Sequence, residues 1–210
     1  MSGVAYINDQ PIASTFFNEG RWLTDFVTPD ALEVQELYDE LTEGLATIQE
    51  KMEALRYWVA SEIKYTHYVW GKIQIGNKIS VQRDLWQTPS MAIQTRIGNC
   101  ANKAFLLASL LRNAMPADDV KVVFGNLHQP GEGGHAWVEV NLNGTAYILE
   151  TTREDMAPSV AASKADIYEP VIRFNDKTVS AIPDRTLLQP FCRVYTDWLK
   201  KYLDWSYIEG

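Results

Sequence analysis

The sequence predicts an α+β fold, helices first and then a run of antiparallel strands. Three observations carry that prediction. Leu41, Leu45, Ile48, Met52, Leu55, Val59 and Ile63 advance by alternating steps of three and four, which lays them on one helical stripe. Residues 101–114 are apolar nearly all round, as in a helix buried on most faces. Finally, HAWVEVNL and TAYILETT flank Asn143-Gly144, and Asn-Gly between two alternating runs is the strongest short-range hairpin signal.

In chain order, residues 1–28 read as irregular, with scattered aromatics (Phe16, Phe17, Trp22, Phe26). Pro29-Asp30 offers a turn into a helix over about 31–64, with a break near Gly44. Glu50, Lys51, Glu53 and Arg56 fall on its other, polar faces. Residues 65–87 read as a loop. Pro89 starts a short helix with Thr88 as its cap. The apolar helix that follows Cys100 closes at Met115-Pro116, and residues 120–124 form a strand ended by Gly125. After the hairpin a further strand is expected at 169–174. Tyr195, Trp198, Leu199 and Tyr202 fit one face of a last helix. No repeat, low-complexity tract or linker interrupts the chain, so residues 1–210 are expected to form a single domain.

Composition narrows the function. The 210 residues are 46% hydrophobic and 22% charged, which suits a globular protein with a substantial core. A net charge of −8 argues against nucleic acid or an anionic membrane as partner, since both need clustered Lys and Arg. Two cysteines, Cys100 and Cys192, make no disulfide framework for this length, which fits a reducing compartment, and Cys192 reads as a structural thiol. The stretch MSGVAYINDQPIAS lacks the basic and apolar regions of a secretory signal, so a cytoplasmic location is expected.

The hairpin also places chemistry. If Asn143-Gly144 is a two-residue turn, Leu142 pairs with Thr145, Trp137 faces Glu150 and His135 faces Thr152. Side chains alternate with period two, so 135, 137, 150 and 152 share one side of the ribbon. His135 and Glu150 are then diagonal neighbours about 7–8 Å apart, a gap a glutamate side chain can close. Cys100 opens the buried helix, where the dipole and the free N–H groups of the first turn favour an anion. A thiolate, an imidazole to shuttle its proton and a carboxylate to orient the imidazole make an activated nucleophile. Gly98, Gly133 and Gly134 let backbone approach such a centre.

Blander readings exist for each residue. Cys100 alone could be a buried thiol, His135 a hydrogen-bonded core histidine, and Glu150 a solvated carboxylate at a strand end. Trp137 reads as packing beside the site, and His128 as an exposed loop residue able to line a cleft. Cys100, His128, His135 and Glu150 have metal-ligand chemistry, but no CxxC or HExxH spacing supports a metal site. GEGG at 131–134 lacks the Gly-Lys-Ser/Thr ending of a phosphate loop. No cofactor is expected.

The runs RIGNCANKAFLLASLLRNAMPADDVKVVFGN and GGHAWVEVNLNGTAYILETT resemble the transglutaminase-like superfamily of papain-like cysteine enzymes. EALRYWVASEIKY and DLWQTPSMAIQTRIGNC resemble that family's upstream helix and its approach to the cysteine, so the likeness spans about residues 45–152. It implies a papain-like core, with N-terminal helices and the nucleophile helix packed on an antiparallel β-sheet. It further implies Cys100 as nucleophile, His135 as general base and acid, and Glu150 as the residue orienting His135. Two positions depart from the pattern: Glu150-Thr151 stands where the family has Asp-Pro, and Asn99 where many members carry an acid. The Cys100 N–H, Gln94, Trp86 and Gln87 are candidate oxyanion donors, and Trp137 is a candidate for the cleft. The implied activity is acyl transfer through a thioester on a protein or peptide substrate. Hydrolysis by a thiol peptidase or amidase leads, transglutamination is the alternative, and a protein-binding module that keeps the fold without catalysis is the reading from another class.

Overall fold

The computed structural model describes residues 4–7, 10–12, 23–75, 78–82, 86–128, 133–152, 160–161 and 166–181. Cys192 and the expected C-terminal helix lie outside them. The region read as irregular contains β1 (Val4–Ile7), β2 (Gln10–Ile12) and a 3-10 turn at Leu23–Phe26. The long predicted helix is two helices, α1 (Leu32–Thr42) and α2 (Ile48–Glu62). They part where expected, at Gly44, whose φ of +75° is a conformation other residues avoid. Thr47 restarts the helix through a reciprocal cap: its hydroxyl accepts the Glu50 N–H at 3.2 Å, and Glu50 Oε2 accepts the Thr47 N–H at 2.8 Å. Met52, Leu55, Val59 and Ile63 are buried as their spacing predicts.

Residues 65–87, read as a loop, hold β3 (Lys64–Tyr65), β4 (Gly71–Ile75) and β5 (Lys78–Gln82). Here β4 joins β1, β2 and β5 in an antiparallel sheet of order β2-β1-β4-β5. Next come α3 (Pro89–Thr95), β6 (Ile97–Gly98), which pairs in parallel with β3, and α4 (Cys100–Leu111). Pro89 stands in the first turn of α3 as expected. Thr88 occupies the cap position, but its buried hydroxyl makes no hydrogen bond there.

The second sheet takes β7 (Val120–Leu127), β8 (Gly134–Leu142), β9 (Thr145–Leu149), β10 (Val160–Ala161), β11 (Tyr168–Phe174) and β12 (Val179–Ala181). It is antiparallel throughout, in the order β10-β9-β8-β7-β11-β12. Asn143 and Gly144 have φ of 53° and 80°, and Leu142 pairs with Thr145, so the hairpin register is the predicted one. Strand β7 runs three residues past its predicted end, through Gly125. One face of the sheet carries Val120, Val122, Phe124, Ala136, Val138, Val140 and Phe174 into a core shared with α4. Every residue of α4 is buried, and Phe105 sits among Phe26, Trp86, Phe124 and Phe174 with ring centroids 5.0–6.0 Å apart. Among the described residues no helix is long and apolar enough to cross a membrane.

Lys103 is buried in α4, and its Nζ donates to the carbonyls of Ala60 (3.0 Å) and Ile63 (2.8 Å) at the end of α2. A cation at a helix C-terminus satisfies orphan carbonyls and complements the dipole. Lys103→Met keeps the stem but strands both acceptors, so it is expected to cost about 1–3 kcal/mol in urea unfolding. An unchanged midpoint would contradict this account.

Candidate active site

Three segments meet at the mouth of α4. Arg96 ends α3 in the left-handed region (φ 56°), turning the chain into β6 and Gly98. At Gly98 a Cβ would stand 3.0 Å from Asn102 Cβ and 3.3 Å from Ile63 Cγ2, a tight fit in the turn that delivers Cys100. Asn99 is the helix cap, its side-chain oxygen accepting the Asn102 N–H at 3.1 Å. A neutral cap does this as an acid would, so the departure from the family at this position leaves the helix start intact. Cys100 is therefore the first helical residue, buried but for 8% of its surface.

His135 lies one residue into β8. Its Nε2 is 2.7 Å from Glu150 Oε2, and the Cys100 thiol is hydrogen-bonded to the same ring. With Nε2 engaged by the carboxylate, Nδ1 is the nitrogen left for sulfur. The imidazole stacks on Trp137 at 6.1 Å and 26°. Trp137 in turn lies over Gly125, where a Cβ would collide with both the indole and the Glu169 carbonyl. Gly125 is thus a seat for that ring within the strand, not the strand's end.

Glu150 follows β9 directly and is 3% exposed. Its Oε1 accepts the N–H groups of Thr151 (2.8 Å) and Thr152 (2.9 Å) and the Thr152 hydroxyl (2.9 Å). Its Oε2 accepts from His135 and, at 3.2 Å, from the Tyr168 hydroxyl. From α2, Arg56 Nη1 reaches the Glu150 backbone carbonyl at 3.2 Å and its Nε meets Glu53 at 3.1 Å. Arg56 is 4% exposed, which corrects its placement on a polar face.

Burial alone would lower the His135 pKa, but hydrogen bonds and charge from Cys100 and Glu150 outweigh it and raise it to about 10. Burial alone would raise that of Glu150, and His135 together with the Thr152 N–H and hydroxyl pulls it below the usual carboxylate value. Imidazolium and carboxylate form a buried ion pair whose spare lone pairs are satisfied, the condition under which such a pair is tolerated.

The remaining sequence candidates fall elsewhere. Gln87 is fully buried; its amide donates to the Ile97 carbonyl (2.8 Å), accepts from the Thr95 hydroxyl (2.8 Å), and its N–H binds Asn102 Oδ1 (2.8 Å). Through these contacts it braces the approach to Cys100. Trp86 belongs to the aromatic core, 5.0 Å from Phe124. Gln94 is exposed on α3, and Trp137 is fully buried behind His135. His128 is exposed, as expected, and pairs with Glu169 at 2.7 Å. Sequence reasoning missed Tyr168, Arg56 and the function of Gly125. Thr152 and Trp137 are the supporting residues that its register placed on the right face.

A helix opening on cysteine, packed on an antiparallel sheet whose hairpin carries the histidine, defines an α+β fold of the papain-like kind. The sequence model of the transglutaminase-like superfamily matches residues 35–149, more than half of the chain, and the chain belongs to that superfamily. No curated protein sequence matches it. Among solved structures, Legionella pneumophila LapG is similar over 78% of this chain and 83% of its own, with a TM-score of 0.54 and 14% identity. Its calcium-bound form aligns over 73% and 78%, with a TM-score of 0.53 and 16% identity. At such identities the likeness is one of fold. Among the described residues of this chain, no group of three or more His, Cys, Asp or Glu side chains gathers as metal ligands would.

Proposed function

We propose that this chain is a cysteine-dependent acyl-transfer enzyme, a thiol peptidase or amidase acting on a protein or peptide. The observation that supports this most is the buried, hydrogen-bonded row Cys100–His135–Glu150. Cys100 passes its proton to His135, and the imidazolium is held by Glu150. The thiolate attacks an amide carbonyl carbon, forming a C–S bond while the carbonyl electrons move to oxygen. The Asn102 N–H is taken by its cap, so the Cys100 N–H, first in the helix, is the candidate donor for that oxyanion. On collapse the C–N bond breaks, and His135 gives its proton to the departing amine. Water, deprotonated by His135, then adds to the thioester. Expulsion of the sulfur releases the acid and restores the starting pair.

An amine in place of water would make the reaction a transamidation. The binding-module reading required a relaxed site around Glu150; the five donors on its carboxylate argue against that. The test is the rate of iodoacetamide alkylation at Cys100, resolved from Cys192 by peptide mass spectrometry. Cys100 is expected to react at neutral pH faster than a free thiol, and Cys100→Ala to abolish amide hydrolysis. A free-thiol rate, together with unchanged hydrolysis in Cys100→Ala, would sink the enzyme reading.

A further inference from the structure

Tyr168 reaches Glu150 because of an irregularity in β11. Against β7, Phe174 opposes Val122, Arg173 opposes Val123 and Ile172 opposes Phe124. The next pairs are Pro170 with Gly125, Glu169 with Asn126 and Tyr168 with Leu127, which leaves Val171 without an opposite residue. Such a bulge shifts the alternation of faces by one. Val171 and Ile172 both enter the core shared with α4. Beyond them Tyr168 emerges on the opposite face, against Val123, Trp137 and Ile148. Its ring meets Trp137 at 5.0 Å and 69° and lies 6.4 Å from the His135 ring.

We propose that Tyr168 is a positioning residue for this site: its hydroxyl fixes Glu150 Oε2, the oxygen that His135 Nε2 touches. The inference rests on the role proposed for Cys100 and His135, and it accounts for the glutamate. A glutamate is one methylene longer than the family's aspartate, and its terminal torsion is intrinsically broad. Rotation about that torsion carries both oxygens together; Thr151 and Thr152 hold the Oε1 end, and the Tyr168 hydroxyl holds the Oε2 end that meets the imidazole. The Tyr168 hydroxyl thus restrains the longer side chain at the oxygen that His135 uses. Burial, with the Glu150 charge and hydrogen bond, holds the phenol pKa well above its usual value, so Tyr168 stays protonated and a donor. The other groups facing Glu150 are His135 from β8, Thr151 and Thr152 from its own segment, and Arg56 from α2 on its carbonyl. Cys100, from α4, acts through His135.

The test follows Cys100 alkylation by iodoacetamide against pH in the intact protein and in Tyr168→Phe, which keeps the ring and loses the donor. A hydrogen bond to the charged carboxylate favours ionised Glu150, so its loss raises the Glu150 pKa. The acid limb of the alkylation profile is expected to move up by about one pH unit, with a several-fold slower plateau. A purely structural role would lower the melting temperature and leave the limb in place, and a profile overlying the wild type overturns the proposal. A second arm needs neither Tyr168→Phe to fold nor Cys100 to be reactive. In Glu150→Gln the Tyr168 phenol, followed by NMR of 13Cζ-labelled tyrosine, is expected to titrate lower, toward about 10. An unchanged phenol titration overturns the proposal. A wild-type Cys100 no faster than a free thiol defeats only the enzymatic reading, and the phenol titration then decides the Tyr168–Glu150 contact.

Discussion

Glu150→Ala is expected to cost about 3–5 kcal/mol, because it leaves a buried imidazolium without its counter-charge. For a chain of this size that lowers the melting temperature on the order of 10 °C. The Thr151 and Thr152 N–H groups and the Tyr168 hydroxyl lose their acceptor at the same time. The loss depends on pH in a defined way. The folded-state pKa of His135 is raised from 6.5 to about 10, so its stabilising contribution is complete below pH 6.5 and disappears as pH rises through about 10. Glu150 is shifted the other way: its contribution is complete above its ordinary 4.5 and is lost as pH falls through the lower folded value. In the variant, burial acts on His135 without the carboxylate to oppose it, so the ring loses its proton at lower pH. The stability gap between wild type and variant should therefore be widest between pH 4.5 and 6.5 and narrow on both flanks. Urea titrations across pH would measure it, and a gap independent of pH would refute the ion pair.

Gly125→Ala is expected to destabilise by about 3 kcal/mol, at the upper end for overpacking by one methyl. The added Cβ meets the Glu169 backbone carbonyl on one side and the Trp137 indole on the other. The carbonyl is fixed by the β7–β11 ladder, and the indole is fully buried, so neither can give way cheaply. The strain passes to the site, since displacing Trp137 removes the surface on which His135 stacks. Cys100 alkylation should therefore slow along with the loss of stability. Gly133→Ala is the control: nothing lies within 4 Å of a Cβ there, so its unfolding midpoint should stay within about 0.5 kcal/mol of wild type. Equal effects at the two glycines would show that conformational freedom, not space, is what Gly125 provides.

What could be read from the sequence was local. The break at Gly44, the buried stripe of α2 and the hairpin at Asn143-Gly144 each follow from nearby residues and a known period, and the structure has all three. The hairpin register alone brought His135 and Glu150 to one face, where they meet at 2.7 Å. The first sheet was missed although Ile73 and Ile75, then Ile79 and Val81, alternate on either side of Gly76-Asn77. Those strands are only five residues long, and the charged and polar residues between the apolar ones read as a loop. Arg56 was misplaced for a different reason: its position on the helix wheel is polar, but the acceptor it serves lies 94 residues away in the chain. Tyr168 could not be placed from alternation, because the bulge at Val171 reverses the alternation on which such placement depends. Gly125 looked like a terminator because the bulk it accommodates belongs to the next strand.

That bulge makes the site depend on an odd or even count. Draw Val171 into the ladder opposite Gly125, sliding Pro170, Glu169 and Tyr168 one place along, and the backbone could still pair with β7 without interruption. The outer half of the strand would then present its other side: the phenol would turn toward the helices, and the Glu169 carboxylate would arrive beside the histidine. A one-residue slip in the outer half of β11 is thus a frame change for the site's chemistry.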